Sequence, residues 1–404
     1  MVTVFLDVLG IGFVTPVIPA LIGQFTTSPV TQAQWTGIIL ATYGVMQFLC
    51  APILGALSDH FGRRPILLLS TFGLGMSFLV NALGQSLTTI WLIRILSGAT
   101  GASFSVAGAY IADITPPHQR GKAFGMIGAA SGLGFIIGPM FGGMLGTYNL
   151  RLPFYVAAGL SLINWCYGFF VLPESLRDEN RTVFSFKRAN PFGALFNLYR
   201  LDSVGKLVGA FAFTMLAQFI MQSTLVLYTA FRFNWKPIDN GLMLLFMGIV
   251  STTVRGVLQA PLLKWLGEER LALMGLTSAA IAYILYGSAT HGWMMYVIAA
   301  GNLLTFSIGP LLQAMVSKAA PPSAQGLTMG SLNAISSIMM VVAPLCGMYF
   351  LGLVSTLPST DWRMGATFYI STVLQGVALA LASIHMHSRS ARHGNTESAP
   401  TSTI

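Results

Sequence analysis

Three charged residues, Asp7, Arg94 and Arg255, stand inside long runs of Leu, Ile, Val, Phe, Ala and Gly. A charge at the centre of such a run costs about 2.5–3.5 kcal/mol to place in a bilayer, so it must face a partner or a cavity. A carboxylate in that setting can take up and release a proton; a guanidinium can neutralise an acid or receive an anion. Asp7 and Arg94 therefore admit two readings. They are an ion pair tying helices together, or a proton-coupling pair in which Asp7 titrates and Arg94 governs when it does. Arg255 has no acid near it in sequence. On a helix it shares one face with Ser251 and Gln259 by four-residue spacing, which points to a wet cavity. Tyr43 with Gln47, and Gln218 with Gln222, form similar polar pairs that either join helices or line the same cavity, and Asn302 is added to that candidate lining. A further concentration of charge, "GALSDHFGRRP" at 55–65, brings Asp59, Arg63 and Arg64 within reach of Asp113. Such groups either fix topology alone or also make a latch that closes in one state and opens in another.

The elements that must position these residues follow from composition. The chain has 404 residues, of which 54% are hydrophobic and only 8% charged, with mean hydropathy +0.71. So few charges cannot cover a globule in water, where about a quarter of residues are charged. Apolar runs long enough to cross a bilayer as helices recur throughout, and the alternation of a membrane barrel is absent. The reading is an all-α polytopic membrane protein with twelve spans, near 2–24, 35–58, 65–84, 87–112, 122–147, 152–173, 206–231, 239–263, 270–290, 293–317, 326–353 and 364–386. They divide into an N-terminal six-helix bundle (1–173), a polar linker (174–205), a C-terminal six-helix bundle (206–386) and a polar tail (387–404) expected to be disordered. With twelve spans both termini share one side, whose loops carry fifteen Lys and Arg, against four (Arg151, Arg232, Lys236, Arg363) in the others. That excess marks the termini as cytoplasmic. The net charge of +9 is thereby explained by topology, without nucleic acid. Cys50, Cys166 and Cys346 show no paired spacing, and the histidines form no metal or nucleophile arrangement, so neither an enzyme nor a metal site is expected. The amino-terminal run has no basic start and reads as a retained span.

The two halves repeat. "PPHQRGKAFG" from Pro116 and "PPSAQGLTMG" from Pro321 share one pattern 205 residues apart, and the same offset relates Gly62 to Gly267 and Pro139 to Pro344. A duplicated six-span unit, with parallel repeats about an axis along the membrane normal, characterises a large transporter architecture whose substrate site lies at the repeat interface. In "GLGFIIGPMFGG" (132–143), Gly134, Gly138, Gly142 and Gly143 allow close helix approach, and Pro139 can bend the span.

At this point the residues resemble the major facilitator superfamily across essentially the whole chain. "GALSDHFGRRP" looks like its signature between the second and third spans, "RILSGATGA" from Arg94 like its fourth-span motif, and "GLGFIIGPMFGG" like the fifth-span motif of its exporters. Within it, "LDVLGIGFVTPVIP", "VAGAYIADIT", "LPES" and "PLLQAMVS" resemble the bacterial tetracycline/proton antiporters. That resemblance implies proton-coupled efflux from the bacterial inner membrane, with Asp7 and Arg94 in coupling and Asp59, Arg63 and Asp113 in a cytoplasmic gate. It implies a small-molecule substrate, protons and lipid as partners, no cofactor beyond the proton gradient, and a single-chain carrier. The chain departs from the group at Ser77, Ser251 and Ala279, which align where the group has an acid, a histidine and an acid, and at Arg255, which aligns with a glutamine. The candidate cavity thus loses acids and gains a cation. The expected cargo is a tetracycline-like or other small amphipathic compound; the alternative is an anionic metabolite such as a carboxylate siderophore.

Overall fold

The computed structural model describes residues 1–101, 103–184, 205–320 and 325–397, except for the side chains of 104, 327 and 388–397. Much of the 174–205 linker and the end of the tail therefore lie outside the described residues. Every regular element among those described is helical. Among the described residues nine helices are long and apolar enough to cross a membrane, and Gly292–Gly301 with Leu303–Ala319 forms a tenth span bent by 64°. The first span is made by Val2–Val14 and Ile18–Gly23, and the fourth by Leu87–Ala99 and Ser103–Ile114, completing twelve.

Local chemistry sets several starts. Ser28 accepts the Thr31 amide at 3.2 Å ahead of Pro29, so the second span begins there and runs Pro29–Phe61, longer at both ends than the 35–58 expected from hydropathy. Ser86 caps the fourth span in the same way through Thr89. The duplication is visible in the boundaries. The third span, Arg63–Leu83, and the ninth, Glu268–Ser288, begin and end at the same 205-residue offset. The fourth and tenth spans begin at Leu87 and Gly292, again 205 residues apart. Among the described residues, Gly62 and Gly267 are the two glycines with positive φ, +106° and +75°, each joining one span to the next.

Three expectations need correction. The first, fourth and tenth spans are broken rather than continuous. The eighth is interrupted by one wide turn, Val254–Leu258, in which the Gln259 amide bonds the Val254 carbonyl five residues back. The tail is not wholly irregular, because the twelfth helix runs Ala366–Glu397. Arg232, expected in a loop, is buried at the end of the seventh span, where it donates to the Ala289 carbonyl at 3.1 Å and to the Asp361 carbonyl. Asp361 itself is held below the usual carboxylate range by its bonds from Arg363.

Each half has its own core. In the C-terminal half the Tyr228 ring stands edge-on to Phe368, with centroids 4.7 Å apart, inside one large cluster. The N-terminal half has one cluster around Phe13, Phe78 and Phe154 and another around Val4, Leu54 and Leu67. The halves touch mainly along two seams, second span on eleventh and fifth on eighth. Both lie away from the end that carries the Arg63 loop, called here the basic end. A Cβ added at Gly37 would lie 2.9 Å from Met348 Cβ, one at Gly143 2.3 Å from the Pro237 carbonyl oxygen, and one at Gly241 2.4 Å from the Pro139 carbonyl oxygen. Further along these helices toward the basic end, a Cβ at Gly125, Gly128, Gly256 or Gly330 would meet nothing within 4 Å among the described residues. The two bundles close at one end and part at the other.

Candidate functional site

Asp7 is buried in the first helix, five residues beyond its start and thus about 8 Å along it at 1.5 Å per residue. The Asn164 carboxamide of the sixth span donates to Asp7 Oδ1 at 3.0 Å and to the Thr3 carbonyl at 3.0 Å, and the Ser103 hydroxyl lies beside the carboxylate. The direct Asp7–Arg94 ion pair considered from sequence is not made: neither residue belongs to any ion pair among the described residues. The two are separated because Asp7 turns into the N-terminal bundle, whereas Arg94 lines the space between bundles. Tyr43 stands within electrostatic reach of both.

Two adjoining cavities occupy the space between the halves. One, about 280 Å³, is walled by Tyr43, Phe78, Arg94, Ser97 and residues of the seventh and eleventh spans. The other, about 330 Å³, is walled mainly by the C-terminal half and includes Gln218, Ser251, Arg255, Ala279 and Asn302. Phe135 and Gln222 belong to both walls. The single charged residue on the wall of each cavity is an arginine, Arg94 in the first and Arg255 in the second. The Arg255 Nε donates at 3.0 Å to the Phe306 carbonyl, in the break of the tenth span. Asn302 sits at that break, where it donates to the Ile298 carbonyl at 2.9 Å and accepts from Ser278 at 3.1 Å. A wide turn in the eighth span therefore faces an irregular stretch of the tenth, and a guanidinium satisfies one of the carbonyls that irregularity frees.

Two residues assigned to the cavity from spacing do not line either wall. Gln47 donates instead at 3.2 Å to the Gly101 carbonyl, at the break in the fourth span. Gln259 falls out of register with Ser251 and Arg255 because the wide turn inserts a residue between them. Four-residue spacing assumes an uninterrupted α-helix, and this span is not one.

At the basic end, Arg63 joins Asp59 at 2.5 Å and Asp113 at 3.1 Å, with Ser58 Oγ at 2.7 Å completing its bonds. Arg64 is not part of this cluster. It donates to the Phe169 carbonyl at 2.6 Å and lies over the Phe169 ring, because successive helical residues point about 100° apart. Sequence reasoning missed Glu174, whose carboxylate accepts from the Arg63 and Arg64 amides at 2.8 and 3.2 Å. It thereby caps the start of the third span with negative charge. Its signal was present in "LPES", the one acid directly after the sixth span. At the 205-residue offset, Glu268 and Lys318 occupy the places of Arg63 and Asp113 and also form an ion pair. The C-terminal half repeats the latch with its charges exchanged. In the fifth span, Gly134, Gly138 and Gly142 pack on the first helix, while Gly143 and Pro139 meet the eighth span; the helix continues unbroken through Pro139.

The model for the Major Facilitator Superfamily matches residues 1–344. The chain belongs to that superfamily. It is a multi-pass membrane protein of a transporter family, and its relatives cover it almost end to end. The tetracycline resistance protein, class C, of Escherichia coli is 36% identical over 370 residues, spanning 91% of this chain and 93% of the relative. The class D protein of Salmonella ordonez is 33% identical over 384 residues, 94% of each chain. The crystal structure of the nucleoside transporter NupG superimposes with a TM-score of 0.74 at 12% identity, over 95% of this chain and 96% of that one, a likeness of fold.

Proposed function

We propose that this transporter exports a small amphipathic compound, tetracycline-like or another drug, in exchange for protons. It acts as a single chain in the bacterial cytoplasmic membrane with both termini inside, and draws on the proton gradient without a cofactor. The observation that carries this reading is the pairing of a central cavity, parted at the basic end, with a buried carboxylate in the bundle beside it. With the basic end inside, the described state faces the cytoplasm, where an exporter loads. Asp7 then carries the proton, Arg94 and Tyr43 relate its charge to the cavity, and the Asp59–Arg63–Asp113 cluster holds the basic end of the N-terminal bundle. The named relatives are resistance proteins, which supports outward transport of a drug.

Inverted vesicles test this. With a pH-sensitive dye inside and an inward-acid gradient, tetracycline should dissipate the gradient through the wild-type protein, and Asp7→Asn should abolish the response. An undiminished response in Asp7→Asn would remove the assigned role. A second reading is a carrier of an anionic metabolite, and it rests on cavity walls that bear two arginines and no carboxylate. On that reading Arg255→Gln weakens transport of anions and spares cations; an equal effect on both would count against it.

A further inference from the structure

Gln375 lies in the twelfth helix and is fully buried, yet among the described residues neither its Oε1 nor its Nε2 has a hydrogen-bond partner. It walls the larger cavity together with Thr214 of the seventh span and Thr305 in the break of the tenth. Both of those hydroxyls are also buried without a partner among the described residues. Four unpaired polar atoms from three separate helices thus converge on one space. Burying an amide or hydroxyl unpaired is costly, and an apolar wall of the same shape would be more stable. The arrangement is satisfied only when something with complementary donors and acceptors fills it. Beside it, Arg255 spends its Nε on the Phe306 carbonyl, which leaves its two Nη groups for the cavity. No acid on that wall competes for them.

We infer that Gln375 is a specificity-determining residue that reads a paired donor and acceptor on the cargo, such as a primary carboxamide, while Arg255 receives an anionic oxygen next to it. A carboxamide presents one acceptor and two donors, so it pairs face to face with another amide. A guanidinium fork matches a carboxylate or the paired oxygens of an acidic enol. Together they select an organic anion with an amide beside its charge, bound without a metal ion. Thr214 and Thr305 supply adaptable hydroxyls around that head, and the apolar remainder of the 330 Å³ cavity holds the body of the molecule. This inference rests on the transport reading above and sharpens its substrate class.

The test uses the full-length protein in detergent and equilibrium dialysis with two probes. Tetracycline carries a primary carboxamide beside an acidic enol; its nitrile analogue keeps the enol and lacks the amide donors. Wild type should bind tetracycline roughly tenfold more tightly than the nitrile, and Gln375→Leu should remove that preference, lowering tetracycline affinity about tenfold while changing nitrile affinity less than about twofold. Thermal unfolding of Gln375→Leu without a probe should match or exceed wild type, which separates lost recognition from lost folding. An equal loss for both probes, no loss for either, or a lower unfolding temperature would overturn the inference, the last by showing that the amide is held by the protein or by water. Binding of neither probe by wild type would also overturn it. Proton flux in vesicles reports separately: discrimination by Gln375 with no tetracycline-driven flux would leave this site standing and sink the export reading.

Discussion

Asn164 is the residue on which the buried carboxylate depends. Its amide serves two oxygens at once, Asp7 Oδ1 and the Thr3 carbonyl. Asn164→Leu leaves both without that donor in an apolar setting, which should cost about 2 kcal/mol of stability, read from thermal unfolding in detergent. The pH dependence of substrate-driven proton flux should shift as well, because the charged carboxylate loses its amide donor while the neutral form loses less. A stability loss with an unmoved pH profile would mean that the amide only ties the first and sixth spans. Asp7, Arg94 and Arg255 were visible in the sequence because a charge in an apolar run is conspicuous. Asn164 and Gln375 were not singled out, although each is a polar residue in an apolar run of the same kind. An uncharged amide is cheaper to bury than an ion and is common between membrane helices, so its type alone gives no direction. Only its partners, or their absence, distinguish a strut from a binding group.

At the scale of the elements, two backbone positions with the same conformation make a controlled comparison. Gly62 and Gly267 both have positive φ, but a Cβ at Gly62 would lie 2.3 Å from Glu174 Oε2, whereas one at Gly267 meets nothing within 4 Å. Gly267→Ala should therefore cost about 1 kcal/mol, from backbone strain alone. Gly62→Ala should cost about 3 kcal/mol, because the methyl also displaces the carboxylate that caps the third span. Unfolding of the two variants side by side checks this, and equal losses would deny Glu174 its capping role. The 205-residue offset predicted this equivalence, and the matching ends of the third and ninth spans follow it. The breaks were not read from the sequence. They fall on "SGATGAS" at 97–103 and "GNLLTFSIGP" at 301–310, but continuous membrane helices tolerate Gly, Ser, Thr and Pro as well, and the freed backbone groups are met from elsewhere in the chain, by Gln47 at Gly101 and by Arg255 at Phe306. The wide turn at Val254–Leu258 escaped for the same reason, and it took Gln259 off the cavity wall.

At the scale of the whole molecule, the closed end is a joint of backbone against backbone. Gly241→Ala puts a methyl 2.4 Å from the Pro139 carbonyl oxygen, where no flexible side chain can yield. It should push the fifth and eighth spans apart and favour the state closed at the basic end. In a protein with Cys50, Cys166 and Cys346 replaced by serine, a cysteine at Gly128 should then react several-fold more slowly with a water-soluble maleimide when Gly241→Ala is present, by about the factor of 5–30 that 1–2 kcal/mol provides. Unchanged reactivity would show that this joint does not set the balance between states. The two arginines on the cavity walls have an electrical consequence. If the bundles rock around them, Arg94 and Arg255 exchange one aqueous face for the other, so the empty carrier moves uncompensated charge through part of the membrane field. An anionic passenger cancels one of those charges. A voltage negative on the basic side should then hold the vacant protein in the posture described here, with up to about 2.3 kcal/mol per full charge at 100 mV. Setting the potential with potassium and valinomycin at constant pH on both sides should change the turnover of empty and loaded carriers unequally.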